Sequence, residues 1–255
     1  MRLIIMPDTH SAMRLAAGEI ASLISSVSSP VLGLATGRTM EGVYSDLVRL
    51  HEKQGLDFSR TTTFNLDEYV GLSPENRNSY HYYMNDLLFL HVNIEKGATH
   101  LPDGSAADLA GECAAYEDAI KRAGGIDLQL LGIGDTGHIG FNEPPSPFDS
   151  RTRCVTLNAR TREQNAGMFG NDPSKVPDRA LTMGVGTILE ARGLLLLALG
   201  SAKAAIVAKA LEGEISPEVS ASAIRLHNNC TVILDKASAA LLSEETRKKA
   251  DFGSH

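Results

Sequence analysis

Short apolar runs alternate with stretches of helical spacing along the whole chain. Residues 2–6 (RLIIM), 31–35 (VLGLA), 61–66 (TTTFNL), 126–131 (IDLQLL), 193–199 (GLLLLAL) and 230–234 (CTVIL) are continuous apolar or β-branched runs, and each predicts a strand. Between them, residues 10–26, 79–90, 106–123 and 201–212 carry apolar side chains at helical intervals, and Thr36-Gly37-Arg38-Thr39 opens a further helix to about Lys53. Asp8 or Thr9 is placed to cap the first of these helices.

Regular strand–helix alternation predicts an α/β fold, with a single open, mostly parallel sheet and helices on both faces, a Rossmann-like three-layer sandwich. The run at 193–199 is the most apolar and reads as a central strand buried on both sides. No Pro-, Ser- or Gly-rich linker interrupts the pattern. Residues 1–242 therefore read as one domain, and 243–255 as a C-terminal tail made of a helix end and frayed residues.

Composition narrows the function class. The 255 residues carry 24 Lys and Arg against 31 Asp and Glu, a formal charge of -7. That balance argues against a nucleic-acid or anionic-membrane partner, which needs a basic face. A small anion stays open, because one loop and one cation suffice to hold it. No apolar stretch is long enough for a membrane span, and Pro7 and Asp8 come too early for a signal peptide. Cys113, Cys154 and Cys230 are scattered, so they read as buried or half-buried reduced thiols in a cytoplasmic protein.

In an open parallel sheet, ligands bind beyond the carboxyl ends of the strands. Four predicted strand ends carry glycine, hydroxyl and ionisable residues together: Thr36-Gly37-Arg38-Thr39, Asp67-Glu68, Gly132 to His138, and Gly200-Ser201-Ala202-Lys203. The first suits an anion, which would meet backbone N–H groups at a helix start; the plainer reading is a turn with Thr36 or Thr39 as cap. Lys203 in a first helical turn opposes the helix dipole, a conflict that a phosphate between them relieves; the plainer reading is a surface lysine. Asp67 and Glu68 alternate faces, so one can enter a pocket while the other packs outside it. His138 lies in a Gly-rich loop with Glu143 five residues on, close enough for a turn to bring that carboxylate back to the imidazole. The stretch 132–137, GIGDTG, matches a dinucleotide fingerprint in letters alone, because Pro144, Pro145 and Pro147 prevent the helix that must follow it. No histidine spacing suggests a metal site, and none is expected.

Five segments, GLATGRT (33–39), FNLDEYVGL (64–72), GHIGFNEP (137–144), VPDRALTMGVGTIL (176–189) and LGSAKA (199–204), together resemble the glucosamine-6-phosphate deaminases. The likeness spans about residues 2–240. It implies conversion of glucosamine 6-phosphate and water to fructose 6-phosphate and ammonium, without cofactor. It also implies that His138, tuned by Glu143, opens the sugar ring and that Asp67 moves the C2 proton to C1. The phosphate would rest on Thr36, Gly37, Arg38, Thr39 and Lys203. Three positions depart from the family pattern. Thr136 stands where Asp or Asn is usual, so a third ring-opening partner would be a hydroxyl. Arg38 and Met40 alter a loop that usually reads TG-small-TP. Gly167 replaces a usual substrate-contacting Arg, which suggests that Arg38 supplies the guanidinium instead. Three readings stand: this deaminase, a galactosamine-6-phosphate deaminase or related sugar-phosphate isomerase, and a non-enzymatic sugar-phosphate-sensing effector domain. The partner expected in each is an amino-sugar phosphate or a close relative, with a homo-oligomer possible.

Overall fold

The computed structural model describes residues 1–252. Its strands are β1 (Arg2–Met6), β2 (Val31–Leu34), β3 (Thr62–Asn65), β4 (Asp67–Tyr69), β5 (Thr99–His100), β6 (Leu128–Leu131), β7 (Arg153–Thr156), β8 (Arg179–Thr182), β9 (Leu194–Ala198), β10 (Cys230–Asp235) and β11 (Asp251–Phe252). The helices are α1 (Thr9–Ser26), α2 (Arg38–Gln54), α3 (Tyr80–Leu87), α4 (Leu109–Arg122), α5 (Ala159–Asn165), α6 (Val185–Leu189), α7 (Ala204–Glu212) and α8 (Glu244–Lys248).

Eight strands form one parallel sheet in the order β11-β1-β10-β9-β6-β2-β3-β5. Every residue of β2 and β9 is buried, so both faces of the sheet centre are covered, as the apolar runs predict. From β2 the chain builds outward through β3 to β5. It then returns to the other side of β2 with β6, β9 and β10. The strand order therefore reverses between β2 and β6, where a crevice opens at the carboxyl ends. α1 starts on Asp8, whose side chain accepts the N–H of Ser11 at 2.8 Å, and its Ala12, Ala16, Ala17 and Ile20 are buried.

The structure adds a second, three-stranded antiparallel sheet, β4-β8-β7, to the single sheet expected from the sequence. This changes the reading of residues 61–66 as one strand with Asp67 at its end. Leu66 donates its N–H to Leu34 of the large sheet at 3.0 Å and accepts the N–H of Met183 at 2.7 Å. One residue thus passes the chain from sheet to sheet, and Asp67 starts β4 opposite Thr182. The tail expectation also changes: Asp251 and Phe252 add an edge strand to β1, and residues 253–255 lie outside the described residues. Cys113 and Cys230 are buried, but Cys154 on β7 is exposed, because β7 is an edge strand of the small sheet. No described helix is long and apolar enough to cross a membrane.

Candidate active site

A cleft of about 450 Å³ opens at the strand-order reversal. The loops after β2, β6 and β9 and the sheet-switching turn at Leu66–Asp67 all reach it, so the four strand ends singled out from the sequence do converge. Thr36, Gly37, Arg38, Thr39, Asp67, His138 and Lys203 line it; Thr136 and Glu143 do not. A larger groove of about 780 Å³ lies at the amino end of β2 and β3, lined by Ser22, Ser25, Leu50, Gln54 and neighbours. Its ionisable residues, Asp57 and Arg60, include no acid–base pair with histidine.

Two glycines shape one end of the cleft. Gly37, at φ 114°, precedes α2, and Gly200, at φ 84°, precedes the 3-10 turn Ser201–Lys203; neither start has a side-chain cap. Thr36 and Thr39 therefore do not cap α2, and the first N–H groups of both turns are left to other acceptors. Lys203 forms an ion pair with Asp135, whose other oxygen accepts Gln164 Nε2 at 2.8 Å.

At the other end stand the carboxylates. Glu68 turns away from the cleft and accepts the N–H of Tyr69 (2.8 Å), Tyr80 (3.0 Å) and His81 (3.0 Å). It thereby anchors the start of α3, where a carboxylate also complements the helix dipole. This places Tyr80 in the cleft wall. Asp67 is buried beside it. Loss of solvent, followed by the negative Glu68, pushes the Asp67 carboxyl up to about 8. Gly140, at φ 55°, keeps the approach to Asp67 open: a Cβ there would stand 2.9 Å from Thr182 Oγ1 and 3.4 Å from Asp67 Oδ2.

His138 packs its ring against Gly134, where any Cβ would overlap the imidazole. Its Nδ1 lies 2.8 Å from Thr136 Oγ1. Burial, then the positive charge of Lys203, lowers its pKa to about 4, with Asp135 opposing. The imidazole is therefore neutral near pH 7. Glu143 does not turn back to it. Its carboxylate accepts the N–H of Asn158, at 3.1 and 3.3 Å, just before α5. The loop is held by Asn142 instead, which donates to Ile139 O and Met183 O at 2.8 Å each and accepts from Arg153 Nη1 at 2.8 Å.

Sequence reasoning missed Tyr80, Gln164 and Asn165 as cleft residues. It noted Asp135 without its partner, although the loops of neighbouring strands β6 and β9 are bound to meet. Among the described residues, no three His, Cys, Asp or Glu side chains are arranged to hold a metal ion.

Residues 9–233 match the family described as glucosamine-6-phosphate isomerases/6-phosphogluconolactonase. The chain belongs to this family. Among relatives in the glucosamine-6-phosphate isomerase/6-phosphogluconolactonase family, the glucosamine-6-phosphate deaminase of Bacillus velezensis is 52% identical over 226 residues, 88% of this chain and 92% of that protein. Glucosamine-6-phosphate deaminase 1 of Bacillus subtilis is 50% identical over 228 residues, 89% of this chain and 94% of that protein. The solved structure of a monomeric glucosamine-6-phosphate deaminase superposes with a TM-score of 0.93 at 47% identity, over 94% of this chain and 100% of that one. The 6-phosphogluconolactonase from Trypanosoma cruzi shares the family fold at 20% identity, with a TM-score of 0.74 over 95% of this chain and 97% of that one.

Proposed function

We propose that the chain converts glucosamine 6-phosphate and water to fructose 6-phosphate and ammonium. The observation that carries this reading is one cleft holding a buried carboxyl, a neutral imidazole and an uncapped Gly-rich turn beside a lysine. The relatives at about half identity named as deaminases of this substrate support it.

The reaction is an aldose–ketose isomerisation with loss of ammonia. The phosphate rests on the N–H groups of Gly37, Arg38 and Thr39, the Thr36 and Arg38 side chains and Lys203. That end pins the sugar so that C1 and C2 face Asp67 and His138. His138, with Nδ1–H donating to Thr136, offers Nε2 to the C1 hydroxyl and passes the proton to the ring oxygen, which opens the ring. Asp67, as carboxylate, removes the C2 proton. The C2 ammonium releases one proton to solvent, and the resulting C1–C2 enolamine takes the C2 proton back from Asp67 at C1 as its nitrogen lone pair forms a C2 iminium. Water adds to C2, the C–N bond breaks, and ammonia leaves as ammonium. A carboxylate shifted towards neutrality is a stronger base than an exposed one, and the substrate's ammonium helps to hold it ionised. Glu143 acts behind the site by fixing Asn158 at the start of α5, which carries Gln164 and Asn165 to the cleft.

Ammonia release from purified protein tests the reading, with glucosamine 6-phosphate and galactosamine 6-phosphate run side by side. Release is expected from the gluco substrate, and Asp67→Asn should lower kcat by about 10²–10⁴-fold. No release from it overturns the reading; release from the galacto epimer alone replaces it with the epimeric deaminase. The solved relative described as monomeric supports catalysis by a single chain.

A further inference from the structure

Gly167 sits in the 3-10 turn Ala166–Phe169, outside the left-handed region, so its backbone does not call for glycine. Among the described residues, a Cβ at 167 would meet one atom within 4 Å, Arg38 Nη2 at 3.0 Å. The bare Cα is thus explained by a guanidinium lying across it. That guanidinium starts from the first residue of α2, where a cation opposes the helix dipole. It lines the cleft beside Lys203. Lys203 has a carboxylate partner in Asp135, whereas Arg38 makes no ion pair among the described residues.

We propose that Arg38 and Gly167 are a matched pair that sets recognition of the phosphate group. Arg38 reaches from α2 across the cleft mouth, over the gap left by Gly167, and grips the phosphate from the side of α5 and the following turn. The phosphate is then held between the guanidinium, the turn N–H groups and Lys203. It also relieves the unfavourable cation at the helix start. Gly167 acts as a positioning residue: a Cβ there would stand 3.0 Å from Arg38 Nη2, so a large side chain must displace the guanidinium. The pair discriminates phosphorylated from unphosphorylated amino sugars. This inference rests on the function proposed above.

The test is a double-variant cycle with two readouts: steady-state kinetics on glucosamine 6-phosphate, and inorganic phosphate binding by calorimetry. Arg38→Ala is expected to raise KM about 10- to 100-fold, the range of a charge-assisted contact, with kcat changed less than about threefold. It should weaken inorganic phosphate binding in parallel. Gly167→Leu should raise KM with Arg38 present and have no further effect in the Arg38→Ala background. Arg38→Lys should recover only part of the loss, because a lysine lacks the planar fork. An unchanged KM in Arg38→Ala, or equal Gly167→Leu effects in both backgrounds, overturns the pairing. If the unaltered protein releases no ammonia, the proposed function falls. The phosphate titrations of the same four proteins still decide whether Arg38 and Gly167 act together.

Discussion

Thr136 Oγ1 stands 2.8 Å from His138 Nδ1, and no carboxylate takes that place. The hydroxyl orients the ring without adding negative charge. Thr136→Val keeps the shape and removes the bond, so kcat should fall about tenfold while the fold persists. Thr136→Asp places an anion beside the imidazole and favours its protonated form. The His138 pKa should then rise from about 4. NMR titration of the His138 ring checks the direction. A pKa that fails to rise in Thr136→Asp would show that burial and Lys203 alone govern the ring.

The second prediction concerns Asp67. Its pKa of about 8 exceeds the value of an unfolded Asp. Between those values the folded chain binds more protons than the unfolded chain, so this residue's contribution makes stability fall as pH rises. Asp67→Asn removes that charge. It should raise Tm at pH 8–9 relative to the unaltered protein, with the gain vanishing below pH 4, while turnover is nearly lost. Each pKa unit is worth about 1.4 kcal/mol, so the shift from 3.8 to about 8 sets a ceiling of about 6 kcal/mol on the gain. The kcat/KM of the unaltered protein should rise through pH 8 as Asp67 ionises. Equal Tm values for the two proteins at pH 9 would refute the buried-charge account.

Much of this site was legible in the chain, and the exceptions share a cause. The apolar run 194–198 and the turns at Thr36 and Gly200 are local features, so periodicity and glycine placement sufficed to position them. The switch at Leu66 depends on partners in two sheets, Leu34 and Met183, which no local pattern specifies. β7 and β8 are four residues each and carry no long periodic signal. Glu143 is aimed by Asn158, fifteen residues on, against the expectation of a contact with His138. The hydroxyl contact of Thr136 lies two residues from His138 and is local, but its shape depends on the turn at Gly137, φ 82°.

Gly134 offers a sharper test of the His138 position. Its N–H donates to His138 O at 2.9 Å, and the ring fills the space above its Cα. Gly134→Ala must move the imidazole by an ångström or more, since the added methyl occupies the ring's place. A shift of about 1 Å in a catalytic group can lower kcat about 10²-fold. KM for the phosphorylated substrate should change little, because the proposed phosphate contacts lie on other loops. A Gly134→Ala protein with full kcat would show that the ring's present position is not the working one.

Asp235 braces the Gly200 turn, the proposed phosphate end, from behind. It is 2% exposed at the end of β10. Its carboxylate accepts the N–H of Gly200 at 3.1 Å, the N–H of Ser238 at 2.7 Å and the hydroxyl of Thr9 at 2.8 Å. One side chain thus ties the Lys203 turn to the start of α1 and to the end of the neighbouring strand. Burial opposes ionisation here, but the Ser238 and Thr9 donors and the Gly200 N–H outweigh it and hold the carboxyl below the usual range. The stability it contributes is present above the unfolded pKa and is lost as pH falls through the lower folded value. Asp235→Ala leaves these donors without their acceptor and should cost about 1–3 kcal/mol at pH 7. It should raise KM more than it lowers kcat, because the freed Gly200 turn no longer presents Lys203 in one position. The stability difference from the unaltered protein should shrink as pH falls below the ordinary Asp value and on through the lower folded one. Urea melts at pH 7 and pH 3.5, run with phosphate-ester kinetics, separate the two effects. A stability loss with no change in KM would leave Asp235 a purely structural residue and remove it from the account of phosphate binding.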